Sequence, residues 1–212
     1  MKQIKIAVIS LIFFTEICLM YSSEDLTLSL SDELIKITVQ ANISIEEKIR
    51  KIEEICSKAL KAKKSRVILM AADYFLAIKN RELSIKYYRN AGKTALIKTN
   101  YHVLFACGKR LAFLTDRDEG ENYLYLAAVR AMKNADWFFM INIASTLREL
   151  ERFDSADKWL GRAGFFAIRR KSIGGLYRIS EQYRLMGEKY KTQSEYWLLS
   201  AKNLKKKLEG RD

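Results

Sequence analysis

The stretch "LRELERFDSADKWLGRAGFFA", Leu147 to Ala167, decides how the chain is read. Ala156, Leu160 and Ala163 follow one another at spacings of four and three, which places them on one face of a helix. Leu147 stands nine residues before Ala156, and the charged segment "ERFD" breaks the pattern between them. This is the signature of two helices joined by a tight turn, with small side chains held at fixed places along both.

The same set returns elsewhere. Ala144, Leu147, Ala156, Leu160 and Ala163 match Gly108, Leu111, Gly120, Leu124 and Ala127 at a shift of 36 residues, and Ala72, Phe75, Ser84, Tyr88 and Ala91 at 36 again. A weaker fourth copy reads Leu185, Ser194, Leu198 and Ala201 at a shift of 38, with Gln182 at the small position. Two antiparallel helices approach closely only where a side chain is missing, so Ala, Gly or Ser on one helix meets its like on the other while larger residues fill the grooves beside them. One such hairpin cannot bury its own apolar face. Stacked neighbours can, so the unit has to repeat.

Composition agrees. The chain has 212 residues, 49% of them hydrophobic, with no proline and only 9 glycines, so the turn punctuation of a many-stranded β fold is missing. No stretch sustains a period of two, and helix-favouring Leu, Ile, Ala, Lys, Glu and Arg dominate. An all-α protein is expected.

These copies resemble the tetratricopeptide repeat, whose pattern is W-x2-L-G-x2-Y, then A-x3-F, A and P, on a period of about 34 residues. The third copy supplies Met140, Ile143, Ala144, Leu147, Ala156, Leu160 and Ala163. The second supplies Leu104, Cys107, Gly108, Leu111, Gly120, Leu124 and Ala127, and the first Ile68, Ala71, Ala72, Phe75, Ser84, Tyr88 and Ala91. The closing Pro is absent, the Trp position is aliphatic, and the step is longer than the family's. The resemblance implies an α-α superhelix of four to five helical hairpins in an exported bacterial protein, with repeats at about 66–99, 102–135, 138–171 and 176–209. Upstream, residues 24–65 form a degenerate hairpin: "SDELIKITVQA" (Ser31 to Ala41) pairs with a helix that Ser44 and Glu47 open as a capping box. Thr192 and Glu195 repeat that box before the last helix, and Gly174-Gly175 marks the joint between the third and fourth units.

In such repeats the inner face of the first helix lines a groove for an extended peptide or a partner helix. Carried over by position, the resemblance selects Arg66, Leu69, Asp73 and Leu76 in the first copy, and His102, Phe105, Lys109 and Phe113 in the second. The third gives Phe138, Ile141, Ser145 and Arg148, and the fourth Ile179 and Tyr183. Aromatic anchors among cations suit a peptide with apolar and acidic features. The basic and amide residues of a carboxylate clamp are missing.

Residues 1–23 read as a signal peptide or N-terminal anchor. Lys2 and Lys5 precede ten uncharged residues, Ile6 to Thr15, and Ser22-Ser23 supplies a small-residue exit, while Glu16 interrupts the apolar run. Export to the periplasm or cell envelope is expected, with membrane association through this segment as the alternative. Beyond it lie two cysteines, Cys56 and Cys107, which the helix order keeps apart, so both are read as small buried hydrophobes without a disulfide.

Catalytic chemistry finds little footing. His102 is the single histidine, and no C-x-x-C, H-E-x-x-H, Walker or G-x-G-x-x-G motif occurs. Carboxylate pairs such as Glu46-Glu47, Glu53-Glu54 and Glu149-Glu151 sit in charged helical faces. No cofactor and no metal site is expected. The reading is a non-enzymatic interaction protein of the cell envelope with a protein or peptide partner. The formal charge of +13 motivates the alternative, a binder of an anionic polymer such as RNA or an acidic envelope polymer. Nucleic acid ranks behind protein. The basic runs "KALKAKKSR", "RRK" and "KNLKKK" each fall near a helix end, where cations complement the dipole.

Overall fold

The computed structural model describes residues 25–210. The leader-like residues 1–23 lie outside them. Ten α-helices follow in order: α1 (Asp25–Val39), α2 (Ile45–Lys61), α3 (Ser65–Ala77), α4 (Arg81–Ile97), α5 (Tyr101–Leu114), α6 (Arg117–Lys133), α7 (Trp137–Glu149), α8 (Phe153–Arg169), α9 (Ile173–Leu185) and α10 (Lys191–Leu208), with a 3-10 turn at Glu188–Tyr190. No strand occurs among the described residues, and no described helix is long and apolar enough to cross a membrane. The fold is all-α, built as a helical repeat. Two compact units divide the chain, Met1–Val103 and Leu104–Asp212.

In the first unit α1 packs on α2, α2 on α3 and α3 on α4, and α1 also touches α3. The second unit has α6 on α7, α7 on α8, α8 on α9 and α9 on α10, with α6 also on α8 and α7 on α9. Within the units, α1 thus stacks on α3, α6 on α8 and α7 on α9. From α3 onward the odd helices have 13 or 14 residues and the even ones 17 or 18.

The period is written into the turns. Lys63, Thr99, Ala135 and Lys171, spaced 36 apart, all have φ between 52° and 55°, and Lys79 and Glu151 have φ of 62°. Each follows a helix end in the left-handed conformation that closes the last turn. The next N–H then reaches back across that turn: Asn80 to Phe75 O at 2.8 Å, Asp136 to Ala131 O at 2.9 Å, Ser172 to Ala167 O at 2.8 Å. That same residue caps the helix to come, since Asn80, Asp136 and Ser172 accept from Leu83, Phe139 and Gly175 N–H. One residue thus ends one helix and begins the next, which makes the reversal tight and constant in length.

Small residues meet where the repeat requires. Ala72, Ser84, Ala91, Ala127, Ala156 and Ala163 have no exposed surface, and the Ser84 hydroxyl donates to Arg81 O at 2.9 Å. A Cβ built on Gly108 would stand 2.9 Å from Gly120 O, and one on Gly120 would stand 2.6 Å from Ala112 N and Cα, so α5 and α6 approach nearly backbone to backbone. Tyr88, Leu124, Leu160 and Trp159 fill the grooves alongside.

The fourth pair corrects the expected register. Ser180 and Ser194, not Gln182 and Ser194, form its close approach: the Ser180 hydroxyl donates to Ser194 O at 2.8 Å and the Ser194 hydroxyl to Ser180 O at 2.9 Å. Tyr183 is buried and Leu185 is exposed. Helix α9 keeps the 36-residue step, and two extra residues enter at the turn, where Gly187 has φ 101° and the 3-10 segment follows. Two neighbouring expectations change with it. Thr192 lies inside α10, which Tyr190 opens with no side-chain cap, and Gly174-Gly175 sits in the first turn of α9, where a Cβ on Gly175 would come 2.7 Å from the Trp137 ring. The joint is Lys171-Ser172.

At the N-terminus α1 starts six residues before the expected Ser31, because Leu30, Leu34 and Ile37 form one buried face. Ser44 does cap α2, accepting from Glu47 N–H at 3.2 Å, while the Glu47 carboxylate pairs with Lys51 at 2.9 Å.

Two mid-helix glycines separate close approach from helix propensity. Gly120→Ala is expected to cost about 1–3 kcal/mol through overpacking. Gly161, with nothing within 4 Å of a built Cβ, should gain about 0.5–1 kcal/mol on substitution by Ala. Urea denaturation of the two variants checks both signs.

Candidate functional site

The odd helices of the second unit turn a row of residues outward, set by the three- and four-residue spacing of a helical face. On α7 the row is Phe138, Ile141, Ser145 and Arg148. Phe138 is 46% exposed, but Ile141 is buried, so the middle of the row is closed. Arg148 leans on Ser145, Nη2 to Oγ 3.5 Å, and lies 3.8 Å from the Glu149 carboxylate. Lys109 of α5 reaches the same carboxylate at 4.0 Å.

Helix α9 continues the row with residues that the shifted register had concealed. Arg178 lays its guanidinium over the Phe138 ring, 4.3 Å from the centroid. Tyr177 is 39% exposed. Glu181 accepts two bonds from Arg184, Nε at 2.7 Å and Nη2 at 2.6 Å. Arg184 holds the Glu181 carboxyl below its ordinary value, and the charge of Arg148 adds to the effect. Lys109, Glu149 and Arg148, with Glu181 and Arg184 beyond them, thus alternate in sign across α5, α7 and α9. Phe113 stands at one end of α5, 62% exposed. Keeping the 36-residue step for α9 and assigning the insertion to Gly187 would have found Tyr177, Glu181 and Arg184 from the sequence.

Other expected site residues fall elsewhere. Phe105 is half-buried, edge-on to Phe139 with centroids 5.2 Å apart, and so belongs to the packing of α5 against α7. Tyr183 and Ile179 are buried. The Tyr183 hydroxyl donates to Asp157 Oδ1 at 2.6 Å, and burial, reinforced by Asp157, raises its phenol well above the usual range. Tyr183 is a core residue of the fourth pair. In the first unit Arg66 is half-buried, Leu69 is buried, and Asp73 accepts the hydroxyl of buried Tyr88. His102, also half-buried, lies beside the Tyr101 ring with centroids 4.3 Å apart.

Among the described residues no three His, Cys, Asp or Glu side chains converge on one point. Cys56 and Cys107 are free, buried thiols. Burial, with Glu53 adding, pushes the Cys56 thiol up to about 12. A thiol of the unfolded chain ionises near 8.5, so the stability gained by keeping Cys56 neutral is intact below that pH and declines as pH rises toward 12.

Iodoacetamide at pH 8 should therefore leave Cys56 unmodified in the native protein and modify it fully in urea, as peptide mass mapping would read. From pH 8.5 to 10 the wild type should lose stability faster than Cys56→Ala, by up to about 1.4 kcal/mol per pH unit.

No protein-family model, no curated protein and no solved structure matches the chain. Its assignment as an all-α helical repeat rests on the internal period and the geometry that the period produces.

Proposed function

We propose that the chain is a non-enzymatic helical-repeat protein of the tetratricopeptide type, exported to a bacterial cell envelope, where the odd-helix face of its second unit binds a protein or peptide. One observation carries this reading. Phe113, Phe138 and Tyr177 remain exposed on helices whose other faces are closed by packing, and they stand among charges of both signs. Aromatic side chains offer a large contact area at low entropic cost, and Arg beside them supplies orientation. The carboxylates of Glu149 and Glu181 stand among the cations of the row, which suits a mixed peptide better than a polyanion. The signal-like residues 1–23 support export, and N-terminal sequencing of the mature protein tests it.

A photo-reactive amino acid at Phe113 or Tyr177 should yield discrete crosslinked adducts in cells, and these adducts should disappear when Phe138→Ala and Arg148→Ala are introduced together. The same probe at Tyr125 or Tyr196, exposed on even helices, should yield none. Adducts only from the even-helix positions would reject the face assigned here.

A further inference from the structure

The two edges of the second unit treat charge in opposite ways. Short turns reverse the chain after each helix, so α6, α8 and α10 run parallel and end at one edge. At the other edge, where the even helices begin, cations are neutralised: Arg117 pairs with Glu151 at 3.1 Å, Arg152 with Asp118 and with Glu121 at 3.0 Å, and Lys191 with Glu188 at 2.9 Å. Where the even helices end, Lys133, Arg169, Arg170, Lys171, Lys206 and Lys207 are all exposed and make no ion pair with a described residue. Lys133, Arg169 and Lys207 occupy the same position in three successive even helices, 36 and 38 residues apart.

Helix dipoles do not account for this band. Each helix end is worth about half a charge, and the negative ends of α6, α8 and α10 alternate along this edge with the positive ends of α7 and α9. Apolar side chains stand within the band as well. Phe165 is 55% and Ile168 42% exposed on one face of α8, and Arg169 lies over the Phe165 ring at 5.5 Å. Exposed Leu208 adds a second aliphatic group beside Lys207.

We propose that this edge binds an anionic lipid bilayer peripherally, with the cations meeting headgroup phosphates while Phe165 and Ile168 enter the interface. Neighbouring helix axes lie about 8–10 Å apart, so parallel helix ends present a row of charge to a plane. Lysines in such a row act as point charges on a negative surface, each worth a substantial fraction of the total attraction. Aliphatic Ile168 and Leu208 gain from an acyl boundary and nothing from base stacking, which favours lipid over nucleic acid.

The test is co-sedimentation of the full chain with phosphatidylcholine vesicles, with and without 30% phosphatidylglycerol. Because residues 1–23 are present in every sample, variants are compared with one another. Lys133→Gln/Arg169→Gln/Lys207→Gln should lower partitioning onto the anionic vesicles roughly a hundredfold. Phe165→Ser/Ile168→Ser should lower it at high salt, where the charge contribution is screened. A control of equal charge change within the same unit but away from this edge, Lys158→Gln/Lys189→Gln/Lys191→Gln, should leave it within about threefold, and circular dichroism verifies that every variant is folded. Equal losses in the edge and control variants would overturn the proposal. So would an edge variant that loses affinity for single-stranded RNA while keeping its affinity for anionic vesicles.

Discussion

Close approach between antiparallel helices is the constraint on which this molecule depends. Where Gly108 faces Gly120, or Ser180 faces Ser194, no room exists for a larger side chain, and the helices on either side are set by that contact. Interiors pack at crystal-like density, so a fixed notch also fixes which neighbours fill the grooves beside it. Tyr88, Leu124 and Leu160 occupy equivalent places for this reason, although an aromatic ring stands at the first and an aliphatic chain at the other two.

Turn geometry turns that local contact into a repeat. After α3, α6 and α8 a left-handed residue closes the helix and the next residue, Asn80, Asp136 or Ser172, caps the one to come, which fixes the register across those turns. The left-handed position is held by Lys63, Thr99, Ala135 and Lys171, none of which is glycine. Such residues strain the backbone there, and packing on both sides overrides the local preference. A scaffold held this firmly leaves its outward residues free to specialise, and the second unit uses that freedom twice: a row of aromatics and ion-paired charges of both signs on its odd helices, and an unpaired cationic edge where its even helices end.

The fold was largely legible because its information is periodic: small residues at Ala72, Gly108 and Ala144 need no tertiary knowledge to be seen as one position. The fourth copy was misread in part because an insertion between two helices shifts one and not the other, and a uniform shift of 38 carried Gln182 and Leu185 into places held by Ser180 and Tyr183. That slip also hid Tyr177, Glu181 and Arg184. Thr192 has the chemistry of a cap, but the 3-10 turn had already started the helix, and Gly174-Gly175 escapes its usual breaking role because Trp137 lies against it. Individual basic runs were plain in the sequence. That Lys133, Arg169 and Lys207 share an edge while Arg117 and Arg152 are paired at the other depends on helix direction, which no single run contains.

A close-contact notch recurs at each hairpin from α3 to α10, and the only two-residue insertion among the last three pairs falls in the turn after α9. Paired cysteines measure that register directly. Under mild oxidation, Ser180→Cys/Ser194→Cys should crosslink nearly completely, because the native hydroxyl oxygens are 3.2 Å apart, whereas Gln182→Cys/Ser194→Cys should not. Efficient closure of the second pair in place of the first would contradict the account.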